Sequence, residues 1–253
     1  MKFRGLSIYA ALVLAFLHLP LLTLIAFSFN ASRFTIWEGF SLRWYRAALS
    51  DPQLGDGLVN SIIIALVASV LATIFGTAAA YGMWRRAAPV LSGTLYLSLV
   101  TPEIVTGVSL LALFQWAFRF LRLRPGLYTV IVAHVAFSLA YVAIVVTARL
   151  RNYDRSLEEA AMDLGATEWR AFLRVTLPAI APAVAAAFLL AVVVSFDDYV
   201  ITSLVAGVDS ETLPMVIYSM ARRGVSPVVN AVSAFILVAF GGLILVSERL
   251  QKQ

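Results

Sequence analysis

Two adjacent aspartates, Asp197 and Asp198, lie inside an otherwise apolar stretch from about residue 181 to 206. A carboxylate at the centre of a membrane-spanning helix costs about 2.5–3.5 kcal/mol on insertion scales, so it is a functional candidate by default. Neighbouring side chains on a helix point about 100° apart, and therefore at most one of the two is expected to face a pathway squarely. The pair predicts a polar site within a membrane.

Further residues of the right chemistry lie in the same or another apolar stretch. Glu103 follows Pro102, whose ring leaves a helix carbonyl without its usual donor and so favours a polar cavity there. Tyr199 and Trp116 are aromatic, and aromatic rings beside carboxylates suit ammonium groups through cation–π contact and charge pairing. The alternative is that the acids form structural pairs with another chain or lie near water at the outer interface.

Catalytic and metal chemistry find little support in the sequence. An intramembrane aspartyl protease needs two carboxylates that converge from different helices, whereas adjacent aspartates on one helix diverge. His18 and His134 have no second ligand at metal-binding spacing and are expected to hydrogen-bond between helices. The lysines are Lys2 and Lys252, neither of which ends a glycine-rich loop, so no P-loop is present and any ATP and magnesium would belong to a partner chain.

A second cluster of polar residues lies in the stretch from Arg151 to Pro178, which holds the densest charge of the chain. Ser156 and Glu159 stand three residues apart before an alanine-rich run, which is typical of a capping box at a helix start. The helix is expected to end near Leu164, because Gly165 accepts the left-handed conformation of an abrupt stop.

A second short helix is expected after the glycine. Thr167 is placed to cap it, it extends through Val175, and Pro178 then precedes the fifth apolar stretch. The two helices would form an elbow across the membrane surface. Such short helices are marginal in water and need a partner surface; the alternative is a solvated amphipathic linker.

The elements that must position these residues are membrane spans. The chain has 253 residues, of which 61% are hydrophobic and 13% charged, and its mean hydropathy is +0.90. Soluble domains carry about 25% charged residues, so an ordinary cytosolic enzyme is excluded. Apolar stretches long enough to cross a bilayer predict an all-α polytopic protein with six transmembrane helices; they cover about 7–29, 58–84, 90–118, 127–150, 181–206 and 230–246.

The basic residues favour a membrane rather than nucleic acid as their surroundings. All but two of the 19 are arginines, and they cluster at the ends of apolar stretches, where lipid headgroups lie. Their distribution weakly favours both termini in the cytoplasm. The first stretch is too long for a signal peptide. The segment from Leu42 to Leu49, with Tyr45 on the same face, predicts a helix lying in the interface.

The elbow sequence resembles the EAA loop of ABC-importer permease subunits. Glu159-Ala160-Ala161 is followed by Gly165, by Val175 and by Leu177-Pro178 at the spacing of that motif. The resemblance implies a type I ABC importer permease fold, 1–253 as a single permease domain, and a cytoplasmic coupling loop, 151–178, that docks on an ATPase. In it Glu159 is the polar anchor, the alanines permit close approach and Gly165 turns the chain; the coupling residues are Glu159, Ala160, Ala161, Gly165, Leu177 and Pro178.

Longer segments resemble the second permease of spermidine/putrescine importers. They are FNASRFTIWEGFSLRWY, SFDDYVITSLVAG and ETLPMVIYSMARRGVSPVVNA, with Tyr199 departing from the aliphatic residue expected there. The resemblance implies a bacterial inner-membrane subunit importing polyamines, with a second permease, two ATPase copies and an extracytoplasmic solute-binding protein as partners. The expected substrate-pathway residues are Asp197, Asp198, Tyr199, Glu103 and Trp116.

Two other interpretations remain open at this point. The same type of importer could carry an opine or an amino-acid derivative, since importers of this branch share much of the pattern. A secondary transporter or channel is the alternative of a different class, but such proteins usually contain an internal repeat, and the sequence shows none.

Overall fold

The computed structural model describes residues 2–34, 36–86, 88–121, 124–224 and 227–251, and these are helical almost throughout. An isolated bridge between Asn30 and Phe40 is the one β-type pairing in this part of the chain. The all-α prediction is confirmed. The chain divides into two compact units, Met1–Gly55 with Val216–Gln253, and Asp56–Met215.

The first unit is built on long terminal helices. Its helices are α1 (Lys2–Ser28), α2 (Arg43–Leu49) and α12 (Pro227–Gln251), and α1 and α2 both pack on α12. Asn30 organises the loop before α2, because its side chain accepts from the Glu38 amide at 3.0 Å and its carbonyl accepts from the Trp44 indole at 2.8 Å. The predicted helix is therefore present, with Leu42 and Leu49 exposed and Trp44 buried.

The second unit carries both candidate sites. Its helices are α3 (Pro52–Arg85), which begins in the first unit, α4 (Pro89–Val100), α5 (Glu103–Leu121), α6 (Leu127–Leu150), α7 (Ser156–Asp163), α8 (Glu168–Ala171), α9 (Leu177–Asp197), α10 (Val200–Val205) and α11 (Leu213–Arg223), which ends in the first unit. Small residues bring α3 against α6: a Cβ on Gly76 would lie 2.8 Å from the side chain of Val142, closer than real contacts allow. The absence of a side chain at Gly76 therefore permits the close approach of the two helices.

Five described helices are long and apolar enough to cross a membrane. They contain Gly5–Ser28, Pro52–Arg85, Glu103–Phe120, Leu127–Leu150 and Glu168–Asp197, while Pro89–Val100 and Pro227–Ala239 are shorter apolar helical segments. The sixth predicted stretch, 230–246, lies within α12, but the side chains of its last residues lie outside the described part.

Two predicted spans are interrupted in the structure. The third, 90–118, is divided into α4 and α5 because Pro102 has no amide N–H and holds Thr101 in extended backbone. The fifth, 181–206, ends at Asp197; Asp198 is extended, and the chain resumes helical structure at Val200. Predicting either stretch as one uninterrupted helix is therefore wrong, and both breaks border the same cavity.

Candidate functional site

A cavity of about 360 Å³ lies where the two interrupted helices meet. Four of the five predicted pathway residues line it: Glu103, Asp197, Asp198 and Tyr199. Phe137 and Tyr141 of α6 add aromatic wall. Trp116 is not part of the lining; it lies on α5 with 64% of its surface exposed and packs edge-on against Phe120.

Asp198 is engaged by the protein itself. Its Oδ2 accepts from the Thr202 amide at 2.8 Å and from the Thr202 hydroxyl at 2.7 Å, and its Oδ1 accepts from the Ile201 amide at 3.4 Å. These bonds satisfy amides that α10 leaves free in its first turn. The side chain is only 6% exposed, so Asp198 fixes the helix break instead of offering an open carboxylate.

His134 of α6 connects Asp198 to α9 through a directional chain of hydrogen bonds. Because the carboxylate can only accept, the Thr202 hydroxyl donates to it and must itself accept from His134 Nε2 at 2.9 Å. In the neutral ring with its proton on Nε2, Nδ1 accepts from the Ser195 hydroxyl at 2.7 Å. All four side chains are satisfied with the ring proton on Nε2, and the expectation that His134 bonds between helices is confirmed.

Asp197 has the opposite surroundings. Its side chain is exposed in the cavity, and no described residue contacts its carboxylate as a hydrogen-bond donor or ion-pair partner. The structure thereby separates the two adjacent acids: Asp198 is used internally and Asp197 faces the cavity. Because Asp198 lies in extended backbone beyond the end of α9, the helix break produces this separation, not the 100° spacing of neighbours on one helix.

Sequence reasoning singled out His134 but missed its partners in this arrangement, Ser195 and Thr202. A signal for them was present. Ser195, Asp198 and Thr202 are three and four residues apart, which places them together on a helical path, and a lone histidine in an apolar span needs polar partners of this kind. The sequence does not indicate which two helices meet there.

The elbow follows α6 and begins with α7. The predicted capping box of Ser156 and Glu159 is absent: Ser156 is already the first helical residue, and its amide donates to Asp154 Oδ1 at 2.9 Å. Hydrogen bonds from Ser156 lower the pKa of the Asp154 carboxyl. The Glu159 carboxylate instead lies 3.2 Å from Arg155 Nε on the surface.

Gly165 makes the predicted turn. Its φ is +88°, the left-handed region, and the amides of Gly165 and Ala166 donate to the carbonyls of Met162 and Ala161 at 2.9 and 3.0 Å. This pair of bonds is the Schellman arrangement that ends helices. Thr167 then caps α8, as expected, by accepting from the Arg170 amide.

The second arm of the elbow differs from its prediction. A separate helix ending at Val175 does not form; α8 runs through a π-helical turn, Phe172–Thr176, directly into α9. Pro178 supplies the physical reason, because it has no N–H and its ring crowds the carbonyl four residues earlier. A wider turn before it accommodates both effects.

Glu158, not Glu159, anchors the elbow inside this chain. It is 1% exposed, and its carboxylate accepts from the Tyr81 hydroxyl at 2.6 Å, the Thr176 hydroxyl at 2.7 Å and the Arg85 guanidinium. The prediction of Glu159 as anchor is wrong for contacts within the chain, since Glu159 points outward. Leu177 is half-buried beside the π-helical turn, and Pro178 is exposed.

The outer surface of the elbow is unusually apolar. Leu164 is 90% exposed, Trp169 66% and Leu157 52%, and the small residues Ala160 and Gly165 of the same elbow are exposed too. Exposed apolar patches bordered by charged residues mark interaction surfaces. The arrangement supports a protein partner rather than a solvated linker.

Comparison with known proteins identifies the family of this chain. Residues 72–253 match the family described as the inner membrane component of binding-protein-dependent transport systems. The chain belongs to this family. Its multi-pass character and its resemblance to an ABC-importer permease are thereby confirmed.

Several curated members of the family are close in sequence. The putrescine transport system permease protein PotI of Escherichia coli K12 is 43% identical over 233 residues, covering 89% of this chain and 83% of PotI. The spermidine/putrescine transport system permease protein PotC of the same strain is 37% identical over 240 residues, covering 93% and 89%. The Haemophilus influenzae PotC is 36% identical and covers 95% and 94%.

Solved structures show the same fold. A chain of a bacterial ABC transporter that imports alginate superposes with a TM-score of 0.72 at 17% identity, covering all of this chain and 97% of the other. A chain of the methionine transporter MetNI gives a TM-score of 0.64 at 17% identity and covers 79% and 97%. The type I importer permease fold is thus confirmed.

Proposed function

We propose that this chain is a permease subunit of an ATP-driven importer of polyamines such as putrescine and spermidine. The observation that carries the proposal is the free Asp197 carboxylate in a cavity walled by aromatic rings. A polyamine offers ammonium groups separated by methylenes, which suit a carboxylate and ring faces together. The names of relatives 36–43% identical to this chain support the same substrate class.

The roles of the cavity residues follow from their surroundings. Asp197 would pair with one ammonium group, and Glu103, exposed on the facing helix end, would pair with another. Tyr199 and Tyr141 would contact the methylenes and the charge. Asp198 would stay with His134 and hold the helix break open, and Trp116 has no role in this site.

Energy would reach the cavity from outside the chain. A second permease would complete the pathway, and a solute-binding protein would deliver substrate. Two copies of a cytoplasmic ATPase would bind ATP and magnesium. They would dock on Leu164, Ala160 and Gly165. The chain itself would be a transport subunit without an ATPase site. It would lie in the bacterial cytoplasmic membrane with both termini inside. Transport requires that the inward- and outward-open states differ in affinity for the polyamine.

The test is uptake of labelled putrescine and spermidine by the complete transporter, with Asp197→Asn in this chain. Losing a charge-assisted pair should raise the KM about tenfold or more, because such bonds contribute about 1.5–3 kcal/mol. Glu38→Gln, which neutralises an exposed acid of the outer loop, is the matched control and should leave uptake unchanged.

Two results would contradict the proposal. Uptake of neither polyamine by a well-assembled transporter removes the substrate and favours another solute, such as an amino-acid derivative. A normal KM in Asp197→Asn removes the carboxylate from the pathway while leaving the importer assignment in place.

A further inference from the structure

The long helix α3 is attached at its inner end to both arms of the elbow, although the chain does not join them directly. Arg85, the last residue of α3, contacts buried Glu158 of α7 with one guanidinium nitrogen and Glu168 of α8 with the other at 3.1 Å. Tyr81, one turn earlier, donates to Glu158 at 2.6 Å. Motion of either arm therefore pulls on the same end of α3.

Aromatic packing reinforces this attachment. The ring of Tyr81 lies 4.4 Å from that of Phe172 in the π-helical turn, and Trp84 lies 5.8 Å from Tyr153 at the start of the loop. Leaving the buried Glu158 carboxylate without its donors costs a large free energy, and this disfavours separation of the elbow from α3. Side-chain contacts thus hold the inner end of α3 to both arms of the elbow.

The outer end of α3 holds the segment that follows α10. Asn60 donates to the carbonyls of Asp209 and Glu211 at 3.2 and 2.9 Å, and the buried hydroxyl of Ser61 accepts from the Leu213 amide at 2.9 Å. This segment, 206–212, continues directly from α10, whose first residues line the cavity. Displacement of α3 therefore reaches the cavity through α10.

Between these attachments α3 is continuous. Asn60 and Arg85 are separated by about 38 Å of helix at 1.5 Å per residue, and no proline lies between them. The π-helical turn precedes α9, and the Thr101–Pro102 break divides the third stretch, so neither of those paths offers an equally unbroken helix.

We propose that α3 transmits movement of the elbow to the segment 206–212 and so to the cavity, with Glu158 and Asn60 as its two points of attachment. These are positioning residues that touch no substrate. The competing route is α6, which joins the elbow covalently and also holds α10, through the Thr129 hydroxyl bond to the Val205 carbonyl at 2.8 Å. If α3 transmits the movement, the Asn60 bonds to the segment 206–212 are required. If α6 does, the Thr129 bond to Val205 is required.

The test uses a single cysteine, since the chain has none of its own. Val208→Cys places a thiol on an exposed position of the segment 206–212, and its alkylation rate is measured in the assembled transporter with and without ATP plus vanadate. We expect the rate to change about fivefold or more, the lower end of usual coupling between sites. The readout needs no transported solute, so its result does not depend on the substrate proposed above.

Three variants then separate the routes. Glu158→Gln and Asn60→Ala should each reduce the ATP-dependent change severalfold while ATP hydrolysis persists, and Tyr81→Phe should reduce it with the ring packing intact. Thr129→Val removes the hydroxyl bond from α6 to the Val205 carbonyl. It should leave the ATP-dependent change of the alkylation rate as in the parent. Because the two attachments act in series, the double variant Glu158→Gln, Asn60→Ala should keep about the same residual response as the weaker single variant, whereas the losses from two unrelated defects would add.

Three results would overturn the proposal. One is an alkylation rate in the parent protein that does not respond to ATP. Another is a normal ATP-dependent change of that rate in both single variants, Tyr81→Phe and Asn60→Ala. The third is loss of the response in Thr129→Val alone, which would assign the movement to α6.

Discussion

At the scale of single residues, the structure assigns different tasks to two adjacent aspartates of identical chemistry. Asp198 is used by the first turn of α10 and by His134, whereas Asp197 faces the cavity. The hydrogen-bond chain from Ser195 through His134 and Thr202 to Asp198 has one direction, because its last member only accepts. The stability of a variant at His134 should therefore depend on which ring nitrogen the new side chain replaces as a hydrogen-bonding group.

His134→Gln and His134→Asn should differ in stability for this reason. A glutamine amide can donate from near the Nε2 position to Thr202, while asparagine reaches only the Nδ1 side and leaves the Thr202 hydroxyl without its donor. Leaving a buried polar group unsatisfied costs about 1–3 kcal/mol. Denaturation of the purified, assembled transporter should show asparagine as the more damaging change; equal stability of the two variants would contradict the assigned direction.

At the scale of elements, the elbow depends on one left-handed residue. A Cβ on Gly165 would meet no atom within 4 Å, so any effect of substitution arises from its φ of +88° and not from crowding. This makes the position a clean test of backbone geometry.

Gly165→Val should abolish transport while the chain still inserts and its spans still assemble. A β-branched residue resists the left-handed region, which costs ordinary residues about 1–2 kcal/mol. Gly165→Asn is the matched control, since asparagine tolerates this conformation, and it should retain most of the uptake. Expression, assembly and uptake are measured side by side, and normal uptake in the valine variant would show that the turn is not needed for coupling.

Element boundaries also show where sequence reasoning reaches its end. Thr167 as a cap and Gly165 as a stop were predictable, because each acts through its own backbone and nearest neighbours. The absence of the Ser156 capping box was not, because Asp154 competes for the same amide. Glu158 and Glu159 look alike in the sequence, and only the approach of α3 with Arg85 decides which one is buried.

At the scale of the whole molecule, the fold class and the elbow could be predicted from apolar stretches and a motif, whereas the cavity could not. Its walls come from α4, α5, α6 and the α9–α10 break, which are far apart in the chain. Apolar composition indicates spans but not where proline or an extended aspartate divides them. The assembly of such a subunit also depends on surfaces that the isolated chain leaves bare.

Leu164→Glu tests the exposed apolar surface of the elbow. Leu164 is almost fully exposed and contributes nothing to the core, so the substitution should leave insertion and the fold unchanged. A charge at the centre of an apolar contact should weaken recovery of the ATPase with the purified permease and lower uptake in parallel. Asp163→Asn, on the neighbouring exposed residue, is the control; full ATPase recovery with Leu164→Glu would place the docking contact elsewhere.

The π-helical turn before α9 sets the rotational phase of everything beyond it. If all five residues Phe172–Thr176 instead formed ordinary α-helix, the helix beyond them would be rotated by about 100°, because a π-helical turn accommodates one extra residue and each α-helical residue turns the chain by that angle. Ser195 would then swing away from His134, and Asp197 would leave the cavity wall. The chain thus carries a phase offset near the elbow that determines which face of a helix is presented at the far end of the same span.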